Sequence, residues 1–103
     1  MKAIRIHQFG GPEVLKVENV PIPKPAQGEL LVQVKAIGVN PVDTYIRAGL
    51  YGPRNFPFTP GLDAAGIVES VGAEVHKVKA GDRVYLSGSL SGTHAEYALC
   101  RED

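Results

Sequence analysis

Glycine and proline recur at short intervals along the whole chain, and this distribution limits the fold more than any other feature of the sequence. The 103 residues include 12 glycines and 8 prolines. Glycine favours turns, and proline lacks the amide hydrogen that a helix interior or a sheet ladder requires. The pattern therefore disfavours long helices and predicts many short strands joined by turns.

Polar and apolar residues alternate in several short segments, which is the pattern of half-buried strands. The prolines within residues 21–25 interrupt any sheet, and the strongest strand of the chain follows them. Four side chains of that strand are expected to share one face by period two: Leu30, Val32, Val34 and Ala36. The predicted strands cover residues 1–9, 14–20, 29–39, 65–71, 83–86 and 93–99.

Residues 40–48 are the one segment with helix signals at both ends. Asn40 suits the N-cap, a proline follows at the first helical position, and Gly49 fits the C-terminal end. Asp43 lies three residues after the cap, where a carboxylate stabilises a helix by about 0.3–1 kcal/mol through capping and the helix dipole. Arg47, four residues further on, is expected to pair with Asp43.

Short connections between five or six short strands favour antiparallel pairing. A sheet that closes on itself leaves few exposed edges. We therefore predict a mainly β fold, a partly open β-barrel with one or two short helices. Residues 49–60 are expected to form an irregular loop that carries aromatic side chains.

The composition excludes several classes of function. Formal net charge is zero, so the sequence shows no electrostatic footprint for nucleic acid, and none is expected as a partner. The apolar stretches fall far short of the roughly 20 residues of a membrane span, so no membrane partner is expected either. The N terminus carries charge early and lacks the apolar core of a secretion signal. Cys100 is the single cysteine, which favours a reducing compartment, and a cytoplasmic location is the default.

Five motifs together resemble a known family. In order they are FGGPEVL, VKAIGVNPVDTYIRAGLY, PGLDAAGIVESVG, GDRV and GTHAEYAL, at residues 9–15, 34–51, 60–72, 81–84 and 92–99. They resemble the N-terminal GroES-like catalytic domain of the medium-chain dehydrogenases/reductases. Within that superfamily, NPVDTYIRAGLY is most similar to the zinc-free quinone oxidoreductases of the zeta-crystallin type. The resemblance covers essentially the whole chain.

The resemblance implies that residues 1–103 are the catalytic domain of an NADPH-dependent quinone reductase. Family members carry a C-terminal Rossmann domain that binds most of the NADPH, and this sequence has no G-x-G-x-x-G between a strand and a helix. We therefore expect the nucleotide-binding domain to lie outside this chain. Full-length relatives are expected to be homodimers, and this domain alone is expected to be monomeric.

Two positions indicate whether this chain can bind a catalytic zinc ion. In the zinc alcohol dehydrogenases that resemble this chain, a cysteine and a histidine that bind catalytic zinc fall at positions 40 and 62. This chain has Asn40 and Leu62 there, and Cys100 stands alone. Catalytic zinc needs about three ligands from cysteine, histidine or carboxylate, and neither asparagine nor leucine supplies one. No metal site is therefore expected.

The resemblance places three catalytic residues around the quinone: Tyr45, Tyr51 and Asn40, with Asn40 and Tyr45 also next to the nicotinamide. The chemistry is consistent with this role. Quinone reduction builds negative charge on a carbonyl oxygen, to which a phenol can donate a hydrogen bond while its ring stacks on the substrate. From the residues alone, the more expected role of Tyr45 is that of a half-buried core aromatic with its hydroxyl in water, and the resemblance reverses that preference.

Asp43, Asp63 and Phe56 are expected to line the substrate pocket. Asp43 also serves the helix N terminus, and Asp63 is expected near the floor of the cleft. Phe56 belongs to a group of loop aromatics that either forms one side of an apolar pocket or covers the barrel end. Gly61 and Gly66 are expected to be needed for backbone shape.

Two alternatives to a working enzyme remain open. The chain could be a folded but inactive fragment, because the family builds its active site between two domains. It could also be a non-catalytic GroES-like binding module. The second alternative leaves the motif NPVDTYIRAGLY without a role, and the mobile apolar loop of a co-chaperonin is missing from the sequence.

Overall fold

The computed structural model describes residues 1–102, which form six strands, one α-helix and one short 3-10 helix. The strands are β1 (Lys2–Arg5), β2 (Lys16–Asn19), β3 (Glu29–Ile37), β4 (Ala64–Val71), β5 (Arg83–Leu86) and β6 (Tyr97–Arg101). The 3-10 helix is Pro12–Val14, and the α-helix α1 is Pro41–Ala48. No helix within residues 1–102 has the length and hydropathy that crossing a membrane requires.

The strands form two antiparallel sheets that do not close into a complete barrel. β1 pairs with β2, and the larger sheet has the order β5-β4-β3-β6. Isolated bridges from Ala3 to Ala95 and from Ile6 to Phe58 join β1 to the rest of the molecule. The prediction of a mainly β, partly open barrel with one or two short helices is confirmed.

The core lies on one face of the larger sheet. Val32 at the centre of β3 and Val68 on β4 are essentially unexposed, and Leu30, Leu86 and Cys100 pack around them. Burial raises the pKa of the Cys100 thiol, which keeps it protonated at neutral pH. The expectation that this cysteine serves packing is consistent with its place in the core.

The predicted face of β3 is correct at one end of the strand and wrong at the other. Leu30 and Val32 are buried and Val34 packs against the core, but Ala36 is exposed. The pairing of β3 with β4 shifts register between Val34 and Ala36, and also between Leu31 and Val32. Each irregularity changes which side chains face the core, because sheet faces alternate residue by residue.

One predicted strand boundary near the N terminus is also wrong. Val14 belongs to the 3-10 helix rather than to a strand, and β2 begins at Lys16. The preceding Pro12 has a fixed backbone angle suited to the first position of a helix. Val14 donates its N–H to the Gly11 carbonyl at 3.1 Å, which commits it to the turn.

The last strand begins at Tyr97, later than predicted. Thr93 and His94, which the sequence predicted to begin this strand, bond instead with the segment that leads into β4. Thr93 donates its N–H to the Gly61 carbonyl at 3.3 Å, and His94 donates to the Pro60 carbonyl at 3.0 Å. These contacts with a loop distant in sequence override the local strand preference.

The predicted helix is confirmed at both ends. Asn40 has extended backbone angles at the N-cap, and Gly49 ends the helix with a left-handed φ of 88°. The expected pair between Asp43 and Arg47 is wrong, because Arg47 donates its Nε to the Gly10 carbonyl at 3.3 Å. That bond ties the end of α1 to the turn after β1.

The turn before β5 contains a carboxylate whose ionisation should affect stability. Asp82 accepts the Lys79 N–H at 3.0 Å and the Lys79 ammonium at 3.2 Å. These bonds, the backbone one first, lower the pKa of Asp82 below its ordinary value. A lowered folded pKa stabilises the protein above the unfolded pKa, and this contribution is lost as pH falls through the folded value.

We expect Asp82→Asn to destabilise the protein at pH 7 and to have a smaller effect near pH 3, below the ordinary aspartate pKa of about 3.9. Urea unfolding at both pH values measures the difference. Glu69→Gln, on an exposed position of β4, is the control. An equal effect of Asp82→Asn at the two pH values would contradict the prediction.

Candidate functional site

The site is built around the N terminus of α1, where Asn40 joins two carboxylates. Its backbone N–H donates to Asp43 Oδ2 at 2.9 Å, and its side-chain Nδ2 donates to Asp63 Oδ1 at 3.1 Å. Asp43 comes from the first turn of the helix, and Asp63 directly precedes β4. Three of the predicted site residues are therefore brought together, with the side chain of Asn40 held in one orientation.

Gly38, between β3 and Asn40, makes this arrangement possible. A Cβ atom on Gly38 would overlap the carboxylate of Asp63, so a larger residue here would displace that carboxylate from its place beside the backbone. Gly38 also donates its N–H to the Asp63 carbonyl at 3.2 Å, and its own carbonyl lies 3.4 Å from His94 Nε2. Sequence analysis missed the role of Gly38, since only the folded chain brings residue 63 against it.

Tyr45, on α1, and Tyr51, in the loop after it, form a second group. Their rings stack with centroids 6.3 Å apart and an interplanar angle of 29°. Tyr45 is 46% exposed and Tyr51 is 65% exposed, so half burial of Tyr45 is consistent with either of the two roles considered for it. The pair offers aromatic surface and phenol groups to a ligand arriving from solvent.

Phe56 lies in a separate aromatic cluster. Its ring meets Phe9 edge-on at 4.9 Å and Phe58 at a tilted 5.7 Å. Phe9 in turn packs against Gly49, where a Cβ atom would lie 3.0 Å from the phenyl ring. The cluster joins the turn after β1 to the loop after α1, so Phe56 supports that loop as well as presenting 41% of its surface to solvent.

A cavity of about 330 Å³ opens between β1, α1, the loop before β4 and the loop after β5. Asp43 forms part of its wall, but Asp43 Oδ1 is buried and has no hydrogen-bond partner within residues 1–102. Arg5 and Arg54 also line the cavity. Sequence analysis assigned neither arginine. The sequence did offer one signal for Arg5. It lies two residues after Ala3 on the same face of β1, and a charged residue on a partly buried strand face is unusual.

The described part of the chain holds no cluster of three or more histidine, cysteine, aspartate or glutamate side chains placed to bind a metal ion. Asn40 occupies the helix N-cap, and Leu62 lines the cavity wall. The zinc-free reading therefore rests on the chemistry of these two side chains.

Residues 26–103 match the family model described as the alcohol dehydrogenase GroES-like domain. The chain is 54% identical over 105 residues to a quinone oxidoreductase of Sus scrofa, and it covers 32% of that protein. It is 48% identical over 92 residues to quinone oxidoreductase 1 of Escherichia coli, with 89% of this chain and 28% of that protein aligned.

A solved structure agrees with the sequence comparison. The Escherichia coli quinone oxidoreductase complexed with NADPH superposes with a TM-score of 0.94 at 44% identity, over 98% of this chain and 31% of that one. The chain thus spans about a third of the length of the relatives it matches.

Proposed function

The chain belongs to the alcohol dehydrogenase GroES-like domain family, and on that premise we propose that residues 1–103 are the catalytic domain of an NADPH-dependent, zinc-independent quinone oxidoreductase. Support comes from identities of about 50% to curated quinone oxidoreductases. It also comes from the positions of the residues that the resemblance selects. Asn40 is the N-cap of α1, Tyr45 lies on the helix, and Tyr51 lies in the loop after it.

The observation that carries the proposal is the exposed tyrosine pair. A quinone is a flat ring, and the stacked, solvent-facing rings of Tyr45 and Tyr51 provide a flat apolar surface for it. Their phenol groups can donate hydrogen bonds to a quinone oxygen as negative charge develops there, which stabilises the transition state. Neither phenol has to act as a strong acid, because water can protonate the reduced oxygen.

The residues of this chain fit only the nicotinamide end of NADPH. NADPH supplies the hydride when bound, and Asn40, held by Asp63 and Asp43, offers a polar side chain of fixed orientation at the N terminus of α1, the helix that carries Tyr45. The N terminus of α1 is a poor phosphate site, since the Asp43 carboxylate already accepts a hydrogen bond there. We therefore assign most of the nucleotide to a Rossmann domain outside residues 1–103.

Zinc independence is part of the proposal and follows from the chemistry of the side chains. Asn40 donates its amide to Asp63, and a hydrocarbon side chain stands at Leu62. Neither offers the thiolate or imidazole that zinc prefers. In this proposal, hydrogen bonds from the tyrosines stabilise the reduced quinone.

The wider setting belongs to the same proposal. A single buried cysteine, Cys100, is compatible with a reducing, cytoplasmic environment. We assign homodimer formation to the full-length protein and a monomeric state to residues 1–103 alone. Size-exclusion chromatography of the 103-residue chain tests the latter assignment.

The test is steady-state oxidation of NADPH with 1,4-benzoquinone or phenanthrenequinone. It is run on the 103-residue chain and on the same chain fused to the nucleotide-binding domain of the Escherichia coli relative. We expect turnover by the fusion, and Tyr45→Phe should lower kcat/KM about tenfold, the effect of losing one hydrogen bond of about 1.4 kcal/mol. Tyr85→Phe, at an 87% exposed position on β5, is the matched control.

Three outcomes separate the alternatives. Turnover by the fusion, with none by the isolated chain, would show that the isolated chain is an inactive part of a working enzyme. Turnover by the isolated chain would show that the nucleotide can act without a covalently attached domain. A folded fusion that binds NADPH but reduces no quinone, or equal losses in the Tyr45 and Tyr85 variants, would overturn the assignment.

A further inference from the structure

We propose that the cavity between β1, α1 and the loop after α1 is a binding site for a small aromatic anion, a ring that carries a carboxylate or a sulfonate. For brevity it is called the Arg5 cavity, and it is defined by Arg5, Asp43, Arg54, Phe58, Leu62 and Leu90 among its lining residues. It does not include the tyrosine pair, although two of its residues, Arg54 and Phe58, also line the surface around Tyr51. No step of the proposed quinone chemistry uses its arginines.

Two arginines in the Arg5 cavity lack a carboxylate partner. Within residues 1–102, neither Arg5 nor Arg54 forms an ion pair. Among the described residues, the Arg5 side chain makes one hydrogen bond, from Nη1 to Thr59 Oγ1 at 3.5 Å, the long limit for such a bond, and Arg5 Nε is buried without a partner there. A guanidinium in such surroundings gains from a carboxylate or sulfonate group, two of whose oxygens can accept hydrogen bonds from it side by side.

Within residues 1–102, Asp43 forms no ion pair with either arginine. One of its oxygens accepts the N–H of Asn40, and the other is buried out of contact with solvent. The hydroxyls on the far wall are also occupied. Ser89 Oγ donates to the Leu99 carbonyl, and Ser91 Oγ accepts the N–H of Leu99. The polar groups left for a ligand are therefore mainly those of the arginines.

The remaining wall favours an aromatic ring. Phe58 forms one side of the cavity, and Arg54 is held over its ring with the guanidinium carbon 5.0 Å from the centroid. Leu62 and Leu90 add aliphatic surface. An arene could lie against these side chains while its anionic group reaches a guanidinium, which combines apolar burial with charge-assisted hydrogen bonding.

The size of the cavity limits the ligand to one or two rings. Its volume of about 330 Å³ lies at the lower end of the range of about 300–1,000 Å³ for small-molecule sites. A neutral arene would leave the arginines unpaired, and an aliphatic anion would leave the Phe58 wall uncovered. A naphthalene or benzene ring with one carboxylate or sulfonate meets both requirements.

Naphthalene-2-sulfonate, titrated into the ¹⁵N-labelled 103-residue chain and followed by amide chemical shifts, tests this site. The neutral naphthalene-2-sulfonamide has nearly the same shape and is the matched ligand. We expect the sulfonate to bind at least about tenfold more tightly than the sulfonamide, because it adds charge-assisted hydrogen bonds. Shifts should be largest for Arg5, Phe58 and Gly92, which surround the cavity.

Variants locate the interaction. Arg54→Gln at the exposed rim should weaken sulfonate binding several-fold, and Arg5→Gln should weaken it about tenfold, while Arg5→Lys should restore part of it. Arg83→Gln, an exposed position on β5 away from the cavity, should leave binding unchanged. If the Arg5→Gln variant does not fold, two measurements still test the site. They are sulfonate binding by the Arg54→Gln variant and the comparison of the sulfonate with the sulfonamide.

Equal affinity for the sulfonate and the sulfonamide would overturn the proposal, as would shifts confined to another surface. So would unchanged sulfonate binding in Arg54→Gln together with Arg5→Gln. The titration contains neither NADPH nor a quinone, so its result is independent of the proposed quinone reduction. A chain that binds the sulfonate but supports no turnover would retain the site and lose the proposed activity.

Discussion

Replacing Gly66 with alanine is expected to lower the free energy of unfolding by about 3 kcal/mol, the upper end of the usual cost of overpacking a core. Gly66 is buried on β4, opposite Val34 of the central strand. A Cβ atom there would overlap the backbone carbonyl of Gln33, and the side chain of Val32 would lie 2.9 Å away. Because the obstructing group is backbone, rotating a side chain cannot relieve the overlap.

Thermal and urea unfolding of the Gly66→Ala variant measure this cost. Gly88→Ala is the matched control, since a Cβ atom on Gly88 meets no heavy atom within 4 Å. A surface change of that kind should stay within about 0.5 kcal/mol of the unmodified chain. Similar losses for the two alanine variants would show that the approach of β3 to β4 at Gly66 does not limit the fold.

The second large effect is expected at Ile6, where alanine should cost about 3 kcal/mol, within the range for truncating a buried isoleucine. Ile6 has 0% exposure. Its backbone also exchanges hydrogen bonds with Phe58, at 2.9 Å from the Ile6 N–H and 3.1 Å to the Ile6 carbonyl. A void at Ile6 should therefore destabilise both the fold and the loop that carries Phe58.

Two measurements address these consequences separately. Urea unfolding reports the loss of stability, and amide hydrogen exchange at Phe58 reports opening of the loop. Ile22→Ala, at a 46% exposed position, is the control and should change neither quantity appreciably. Faster exchange throughout the protein, with none specific to Phe58, would show that Ile6 acts only as a core residue.

The helix shows how far the sequence could be interpreted correctly. Asn40, Asp43 and Gly49 are local signals, each acting within one turn of its own position, and the structure confirms both ends of α1. The motifs likewise selected Tyr45 and Tyr51, which the structure places in contact. Their catalytic roles stay predictions that the NADPH oxidation assay addresses.

The errors occur where distant segments meet. Ala36 is exposed because the pairing with β4 shifts register beside it. Arg47 binds the Gly10 carbonyl in place of Asp43 because the turn after β1 folds against the helix end. The start of β6 moves because His94 bonds to the Pro60 carbonyl. None of these partners is within ten residues of the group it affects, so periodicity could not reveal them.

By itself, the sequence determined the mainly β fold, the position of α1 and the family, because turn residues, caps and motifs act locally or by direct resemblance. Only the tertiary structure decided that Asn40 is held by Asp63, that Gly38 lies against the Asp63 carboxylate, and that Arg5 and Arg54 share one cavity. Such contacts depend on how strands pair and loops cross, and hydrogen bonding and steric exclusion between distant residues set them only once the chain is folded.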